Sequence, residues 1–143
     1  MNIRDVMTSN PRTVSPNDTI QDAACIMRDE DTGVVPVVEN GRPVGVVTDR
    51  DIVVRAVANG EFNRPVRDVV SGNVVTARPD MSTKEAADLM REYQIRRLPV
   101  VDERGVLMGI LALDDLLQLL GVALGDVVQL LGTERIGEVV RRA

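Results

Sequence analysis

The feature that most constrains this sequence is an internal duplication. Residues 35–38 recur, with conservative changes, as residues 98–101, an offset of 63. One residue is then added in a loop, and residues 45–47 match residues 109–111 at an offset of 64. A unit of roughly 60 residues buries too little apolar surface to be secure alone. The duplication therefore predicts two copies of one fold that stack to complete their cores.

Each copy has the local pattern strand–helix–strand–strand–helix. Thr19 and Ser82 both precede apolar residues at helical spacing and are followed three residues later by an acid, the pattern of a capping box. An Asn-Gly pair at position 40 predicts a hairpin, and the second helices are expected to begin near Asp49 and Leu113. We expect an α/β (α+β) fold with the copies packed sheet to sheet about a pseudo-twofold axis, leaving two clefts between them.

The duplication and its flanks predict four segments. The copies occupy residues 1–60 and 69–120, and residues 61–68, which contain Pro65, are predicted to be a linker. Residues 121–143 lie outside the duplication and continue an apolar helical stripe. We expect this helical extension to contact a second copy of the chain; folding back over its own chain is the alternative.

The composition excludes several kinds of function. The chain has no histidine, which excludes Ser-His-Asp and Cys-His catalysis and histidine-ligated zinc. Its single cysteine excludes internal disulfides and fits a reducing compartment. A net charge of −5 and only two aromatic residues argue against nucleic acid as the main partner. No leader-like or membrane-length apolar run is present, so we expect a cytoplasmic protein that is not an enzyme and has no membrane contact.

The duplicated motifs resemble those of tandem cystathionine-β-synthase (CBS) domains, a pair often called a Bateman module. The resemblance covers residues 3–120 and depends on the order of its motifs, which lie at residues 5–8, 35–38, 45–52, 96–102, 109–111 and 115–116. It implies a regulatory module that binds an adenosine-containing ligand in its clefts. AMP, ADP and ATP are favoured over S-adenosylmethionine and NADH, and no cofactor is required. The resemblance also implies a homodimer that signals to an effector protein of unknown identity.

The resemblance further implies a role for the acid near the start of each second helix. Asp51 and Asp115 would take the two ribose hydroxyls, with Thr48 reaching phosphate. A carboxylate has two acceptor oxygens for two hydroxyl donors, and a helix N-terminus suits an anion. Thr48 and Asp51 also have the spacing of a plain capping box. The second copy has Ala112 in place of the threonine, so we expect capping to explain Asp115 poorly and we favour the ribose role.

Two arginines are candidate phosphate ligands. Arg97 precedes the second proline-containing strand, where it either binds phosphate or pairs with Asp102. Arg50 is expected to contact phosphate or a dimer partner. Because the first copy keeps the hydroxyl and the second carries the arginine, one dominant site is expected. Asp49 and Asp51 lack a partner cluster, so no metal site is expected.

The resemblance makes the neighbourhoods of the repeated strands the aliphatic walls of an adenine pocket. The residues implied are Val14, Val35, Pro36, Val75, Leu98 and Pro99. Proline cannot donate to a sheet ladder, so an edge strand or a bulge is expected there in any case. The alternative function for the whole chain is a ligand-free dimeric CBS scaffold, such as a stress-response interaction protein.

Overall fold

The computed structural model describes residues 1–70 and 74–132, and the two copies fold alike within them. A short strand β1 (Thr8–Ser9) comes first. The first copy continues with α1 (Ile20–Glu30), β2 (Val34–Glu39), β3 (Arg42–Thr48) and α2 (Asp49–Arg55). The second has α3 (Thr83–Tyr93), β4 (Arg97–Val101), β5 (Leu107–Ala112) and α4 (Leu113–Leu130). Short 3₁₀ helices lie at Ile3–Asp5, Val57–Asn59 and Val66–Asp68.

The strands form two antiparallel sheets, one in each half of the molecule. The first consists of β2 and β3, and the second has the order β1-β5-β4. Both hairpins carry an irregularity at the matching place, between Val37 and Val38 and between Val100 and Val101. The predicted α/β fold with internal twofold symmetry is confirmed.

The predicted capping boxes begin α1 and α3. Thr19 Oγ1 accepts the Asp22 N–H at 3.1 Å, and Asp22 Oδ2 accepts the Thr19 N–H at 2.9 Å. Ser82 and Glu85 repeat both bonds at 3.1 and 2.8 Å. These reciprocal bonds satisfy backbone donors that the first helical turn leaves free.

The segment that leads into each copy packs on the other copy. The Ile3 N–H donates to the Met81 carbonyl at 2.9 Å, and the Val66 N–H donates to the Asp18 carbonyl at 2.7 Å. These bonds join equivalent positions 63 residues apart, so they are related by the pseudo-twofold axis. The two leading segments therefore cross over.

The crossed segments complete the two cores. Ile3 is fully buried in the core of the second copy, whereas Val66 and Val69 are fully buried in the core of the first. Residues 61–68, predicted to be a linker, thus supply part of the apolar core. β1 joins the second sheet, where Thr8 pairs with Ile110.

A close backbone approach at β1 explains a glycine in β5. A Cβ atom at Gly109 would lie 2.7 Å from the Thr8 carbonyl oxygen and 2.7 Å from Met7 Sδ. Glycine is needed here because any side chain would push β1 off the sheet. The packing of the leading segment on the second sheet therefore requires a glycine at this position of β5.

The segment before the first helix of each copy forms one bridge to the strand that follows that helix. Val14 forms a single parallel bridge to Val37, and the same bridge in the second copy joins Ala77 to Val100. The counterpart of Val14 is therefore Ala77, at the same offset of 63, and Val75 lies two residues before it. Both segments are isolated bridges and do not form the short strands that were expected.

The helical tail is present as the second half of α4. From Leu120 onward, every residue of α4 is exposed, although Leu116 one turn earlier is buried in the second core. The rest of the predicted extension, residues 133–143, lies outside the described residues.

Candidate functional site

A cavity of about 250 Å³ lies between the first copy and the crossed leading segment, and we call it the first cavity. Its lining residues are Thr8, Pro11, Arg12, Ile26, Glu30, Asp31, Thr32, Val34 and Ile110. This volume is close to the lower end, roughly 300 Å³, of small-molecule sites. Elements of both copies form the wall, because Ile110 belongs to β5 and the α1 and β2 residues belong to the first copy.

The floor of the first cavity is apolar and its rim is polar. Ile26, Val34 and Ile110 are largely buried and come from a helix and two sheets. Asp31 ends α1 in the left-handed conformation, with φ of 50°, and its N–H donates to the Met27 carbonyl. The Thr32 hydroxyl lies 3.3 Å from the Val34 carbonyl oxygen. The first cavity therefore offers apolar contacts on its floor and polar groups at its rim.

The charges around the first cavity are mainly negative. Arg12 Nη1 lies 3.6 Å from Glu30 Oε1 and 3.8 Å from Asp29 Oδ2, so two carboxylates share one guanidinium. The hydrogen bond from Arg28 lowers the pKa of Asp29, and the charge of Arg12 adds to this effect. Among the described residues that line the cavity, Arg12 is the one cation, and Glu30 and Asp31 are the two acids.

Thr48 and Asp51 form the cap of α2. Asp51 Oδ2 accepts the Thr48 N–H at 2.9 Å, and Thr48 Oγ1 accepts the Asp51 N–H at 3.1 Å. Both residues are half-buried. The second carboxylate oxygen and the hydroxyl proton are not used by these bonds, so the cap leaves them available to a ligand.

Asp115 corrects an expectation about the second copy. Its Oδ2 accepts the Ala112 N–H at 2.8 Å, although Ala112 has no hydroxyl. The carboxylate half of the capping box therefore survives, and capping does explain this acid. Asp115 and Val6 also line a shallow depression, and Val6 is two residues from Thr8 of the first cavity. Asp115 does not line the first cavity; it follows the lining residue Ile110 by five positions and keeps one carboxylate oxygen that the cap does not use.

The residues implied for the adenine walls are mostly core residues. Their side chains are buried at Val14, Val35, Pro36, Leu98 and Pro99. The backbone beside both prolines is also occupied, because the Pro36 carbonyl accepts the Val14 N–H at 3.1 Å and the Pro99 carbonyl accepts the Ala77 N–H at 2.9 Å. None of these side chains lines the first cavity.

Arg97 is the better placed of the two candidate arginines. It begins β4 opposite Ala112 and is half-buried, and its Nε is buried without a hydrogen-bond partner among the described residues. No ion pair to Asp102 forms there. The Asp102 carboxylate instead accepts the backbone N–H groups of Val106 and Arg104, which lower its pKa.

The remaining predicted residues lie apart from the first cavity. Arg50 is exposed on α2, where its backbone N–H donates to Asp49 Oδ1 at 2.8 Å. Val75 is half-buried and packs against the core of the second copy. Across residues 1–70 and 74–132, no cluster of three or more potential metal-ligating side chains occurs. The helices in the same ranges are too short or too polar to cross a membrane.

Sequence reasoning missed the charged rim of the first cavity. Arg12, Glu30 and Asp31 belong to no duplicated motif: at the offset of 63 their counterparts are Val75, Tyr93 and Gln94. The available signal was Thr8, which ends the leading motif at residues 5–8. Only the crossover brings that motif to α1.

Comparison with known proteins agrees with the duplicated architecture. The family model of the CBS domain matches residues 3–57 and again residues 66–122. The chain is 48% identical over 115 residues to the CBS domain-containing protein YhcV of Bacillus subtilis, which covers 80% of this chain and 81% of that protein.

Two similar solved structures contain adenosine compounds. The CBS domain pair of protein MJ0100, in complex with 5′-methylthioadenosine and S-adenosyl-L-methionine, matches with a TM-score of 0.78 and 29% identity, covering 86% of this chain and 98% of that one. The CBS domain protein PAE2072 from Pyrobaculum aerophilum, complexed with AMP, matches with a TM-score of 0.73 and 27% identity, covering 80% and 89%.

Proposed function

Because this chain belongs to the CBS domain family and carries two of its domains in tandem, we propose that it is a non-enzymatic regulatory module for an adenosine-containing ligand. The observation that carries the proposal is the first cavity, which has an apolar floor and a polar rim and is built from both domains. The complexes of MJ0100 and PAE2072 support it, since similar domain pairs hold 5′-methylthioadenosine, S-adenosyl-L-methionine and AMP.

In the first cavity, the adenine would lie on Ile26, Val34 and Ile110. The ribose hydroxyls would donate to the carboxylate oxygen of Asp115 that the helix cap does not use. The same carboxylate holds the Ala112 N–H, so its position is fixed before the ligand arrives. A positioned carboxylate loses less conformational entropy on binding than a mobile one.

The second cleft would be formed by the residues that stand at the equivalent positions, 63 or 64 residues away, in the other domain. Arg97 stands at the position of Val34, and Asp51 stands at the position of Asp115. Arg97, whose Nε has no hydrogen-bond partner in the part of the chain that the structure describes, and the Thr48 hydroxyl would bind phosphate. We therefore assign AMP, ADP or ATP to the second cleft, with Asp51 on the ribose.

A ligand in the first cavity would change how the two domains sit together. It contacts α1 and β2 of one domain and β1 and β5 of the other, so it stabilises arrangements in which these surfaces are close. A ligand shifts a conformational equilibrium only through its different affinities for the two states. An effector protein that binds one arrangement would then respond to ligand concentration.

A thermal-shift series with AMP, ADP, ATP, 5′-methylthioadenosine and S-adenosylmethionine tests the proposal. A ligand present at 100 times its Kd should stabilise the fold by about 2.7 kcal/mol. That corresponds to an increase in Tm of roughly 5–10 °C for a chain of this size. GMP is the control for phosphate and ribose without adenine. If no adenosine compound raises Tm, the ligand-free scaffold is the correct interpretation.

We also propose that α4 forms a contact between two copies of the chain. Large apolar side chains are exposed along it and at its C-cap, at Leu117, Leu120, Val122, Leu124, Val127, Val128, Leu130 and Leu131. Such a continuous exposed apolar surface is typical of an interaction site.

The spacing of these side chains favours another α4 as the partner. Leu117, Leu120, Leu124, Val127 and Leu131 follow one another at alternating intervals of three and four residues, which are the a and d positions of a heptad. The nearby acids Asp114 and Asp126 fall outside those positions, so two copies pair without charge repulsion at the seam.

Leu124→Ala is expected to raise the Kd of the dimer about tenfold, since a central interface leucine truncated to alanine loses about 1–2 kcal/mol. Val122→Ala is the matched control, because Val122 is equally exposed but lies off the seam. Sedimentation equilibrium measures both Kd values. A monomeric wild-type protein, or equal effects of the two variants, would contradict the α4 pairing.

A further inference from the structure

The charge of the first cavity bears on which adenosine-containing ligand it takes. Glu30 and Asp31 both line it, and Arg12 is its lining cation. Arg12 is already within 4 Å of two carboxylates, those of Glu30 at 3.6 Å and Asp29 at 3.8 Å. Arg28 also pairs with Asp29, at 2.9 Å, so two arginines face the three acids Asp29, Glu30 and Asp31, and a phosphate entering this cavity would meet a net negative charge. Like charges in a partly enclosed site are a means of rejecting a ligand.

The second domain shows that this charge is specific to the first cavity. Tyr93 and Gln94 stand at the positions of Glu30 and Asp31, so both acids are replaced by neutral residues. Arg97 stands at the position of Val34, so a cation is added where the first cavity has an apolar floor. Arg12 has Val75 as its counterpart, so these four positions carry a net charge of −1 in the first domain and +1 in the second.

We propose that the first cavity selects adenosine compounds whose 5′ substituent carries no negative charge, and that Glu30 and Asp31 determine this selectivity. The inference rests on the proposed function and names the ligand class of its first cavity. A neutral thioether or a cationic sulfonium at the 5′ carbon avoids the repulsion that a phosphate meets. The backbone of Asp31 is fixed at the end of α1, where it is left-handed and its N–H donates to the Met27 carbonyl.

The double variant Glu30→Gln/Asp31→Asn tests the selectivity. Both changes are nearly isosteric, and asparagine tolerates the left-handed backbone at position 31. Wild-type protein is titrated calorimetrically with 5′-methylthioadenosine, and AMP is then used as a competitor for the same sites. Asp115→Ala removes the ribose contact proposed above for the first cavity, so it should weaken the binding of 5′-methylthioadenosine there and identify the site.

In the wild-type protein, 5′-methylthioadenosine should bind the first cavity at least tenfold more tightly than AMP. The double variant should bind AMP about tenfold more tightly than the wild-type protein does. Its affinity for 5′-methylthioadenosine should change less than threefold. Raising the salt concentration should reduce the difference in affinity between 5′-methylthioadenosine and AMP in the wild-type protein, because salt screens partly exposed charges. The matched control is Glu39→Gln/Glu103→Gln, which removes the same charge from exposed positions outside the cavity and should leave the ratio unchanged.

The possible failures are distinct. One outcome is that Asp115→Ala weakens 5′-methylthioadenosine binding while the double variant leaves the ratio of the AMP and 5′-methylthioadenosine affinities unchanged. In that case the charge selectivity is wrong and the ligand-binding function stands. If AMP binds the first cavity of the wild-type protein as tightly as 5′-methylthioadenosine does, the selectivity is also wrong. If no adenosine compound binds the wild-type protein, the proposed function fails and the selectivity with it.

Discussion

Ile3→Ala should lower the free energy of unfolding by about 2–5 kcal/mol, the usual cost of truncating a fully buried isoleucine. Ile3 is fully buried and packs in the core of the second domain with Leu98 and Leu111. Its backbone N–H is bonded to the Met81 carbonyl at 2.9 Å, so the surrounding backbone is held and cannot readily collapse onto the cavity. The effect is large for a residue at the start of the chain because the leading segment belongs structurally to the second domain.

Urea denaturation followed by far-UV circular dichroism measures this change. Met1→Ala is the control, since Met1 is 71% exposed and should change stability by less than about 0.5 kcal/mol. Hydrogen exchange adds a directional readout: Ile3→Ala should increase exchange in α3 and β4 more than in α1 and β2. A loss below 1 kcal/mol, or greater loss of protection in α1 and β2, would show that the leading segment does not hold the second core.

The same crossover shows which parts of the fold could be predicted from the sequence. The cap at Thr19 and Asp22 and the hairpin turn at Asn40 were predictable, because each depends on residues within a few positions of one another. The position of Ile3 in the second core was not, because it depends on contacts with residues about 80 positions away. The two leading segments, which contain Ile3 and Val66, each have a short apolar pattern that would fit the core of either domain.

The candidate site was predicted less well for a different physical reason. Repeated apolar residues such as Val35 and Leu98 are repeated because both cores need them, so their duplication indicates packing. The first cavity instead uses residues that differ between the domains, including Glu30 and Asp31. A search for duplicated motifs emphasises what the domains share, whereas selectivity depends on where they differ.

Substituting the acids near the helix starts is the sharpest test of ligand binding. Asp115→Ala should raise the Kd of the ligand in the first cavity roughly 10- to 100-fold. This is the loss expected for one charge-assisted contact pair, about 1.5–3 kcal/mol. Asp51→Ala should have the same effect on the ligand of the second cleft. Calorimetric titration of each variant with 5′-methylthioadenosine and with AMP measures the two losses separately.

Capping must be separated from binding, because Asp115 also accepts the Ala112 N–H at 2.8 Å. Asp114→Ala is the matched control: it removes a neighbouring exposed acid from the same first turn of α4 and costs the same favourable interaction with the helix dipole. Asp115→Asn keeps an oxygen that can accept the Ala112 N–H but removes the charge, so its ligand-free Tm should stay near that of the wild type while its affinity still falls. If Asp115→Ala lowers the ligand-free Tm and binds ligand as tightly as Asp114→Ala does, the carboxylate serves only to begin α4. If affinity falls while Asp115→Asn keeps its stability, the oxygen that the cap does not use contacts the ligand.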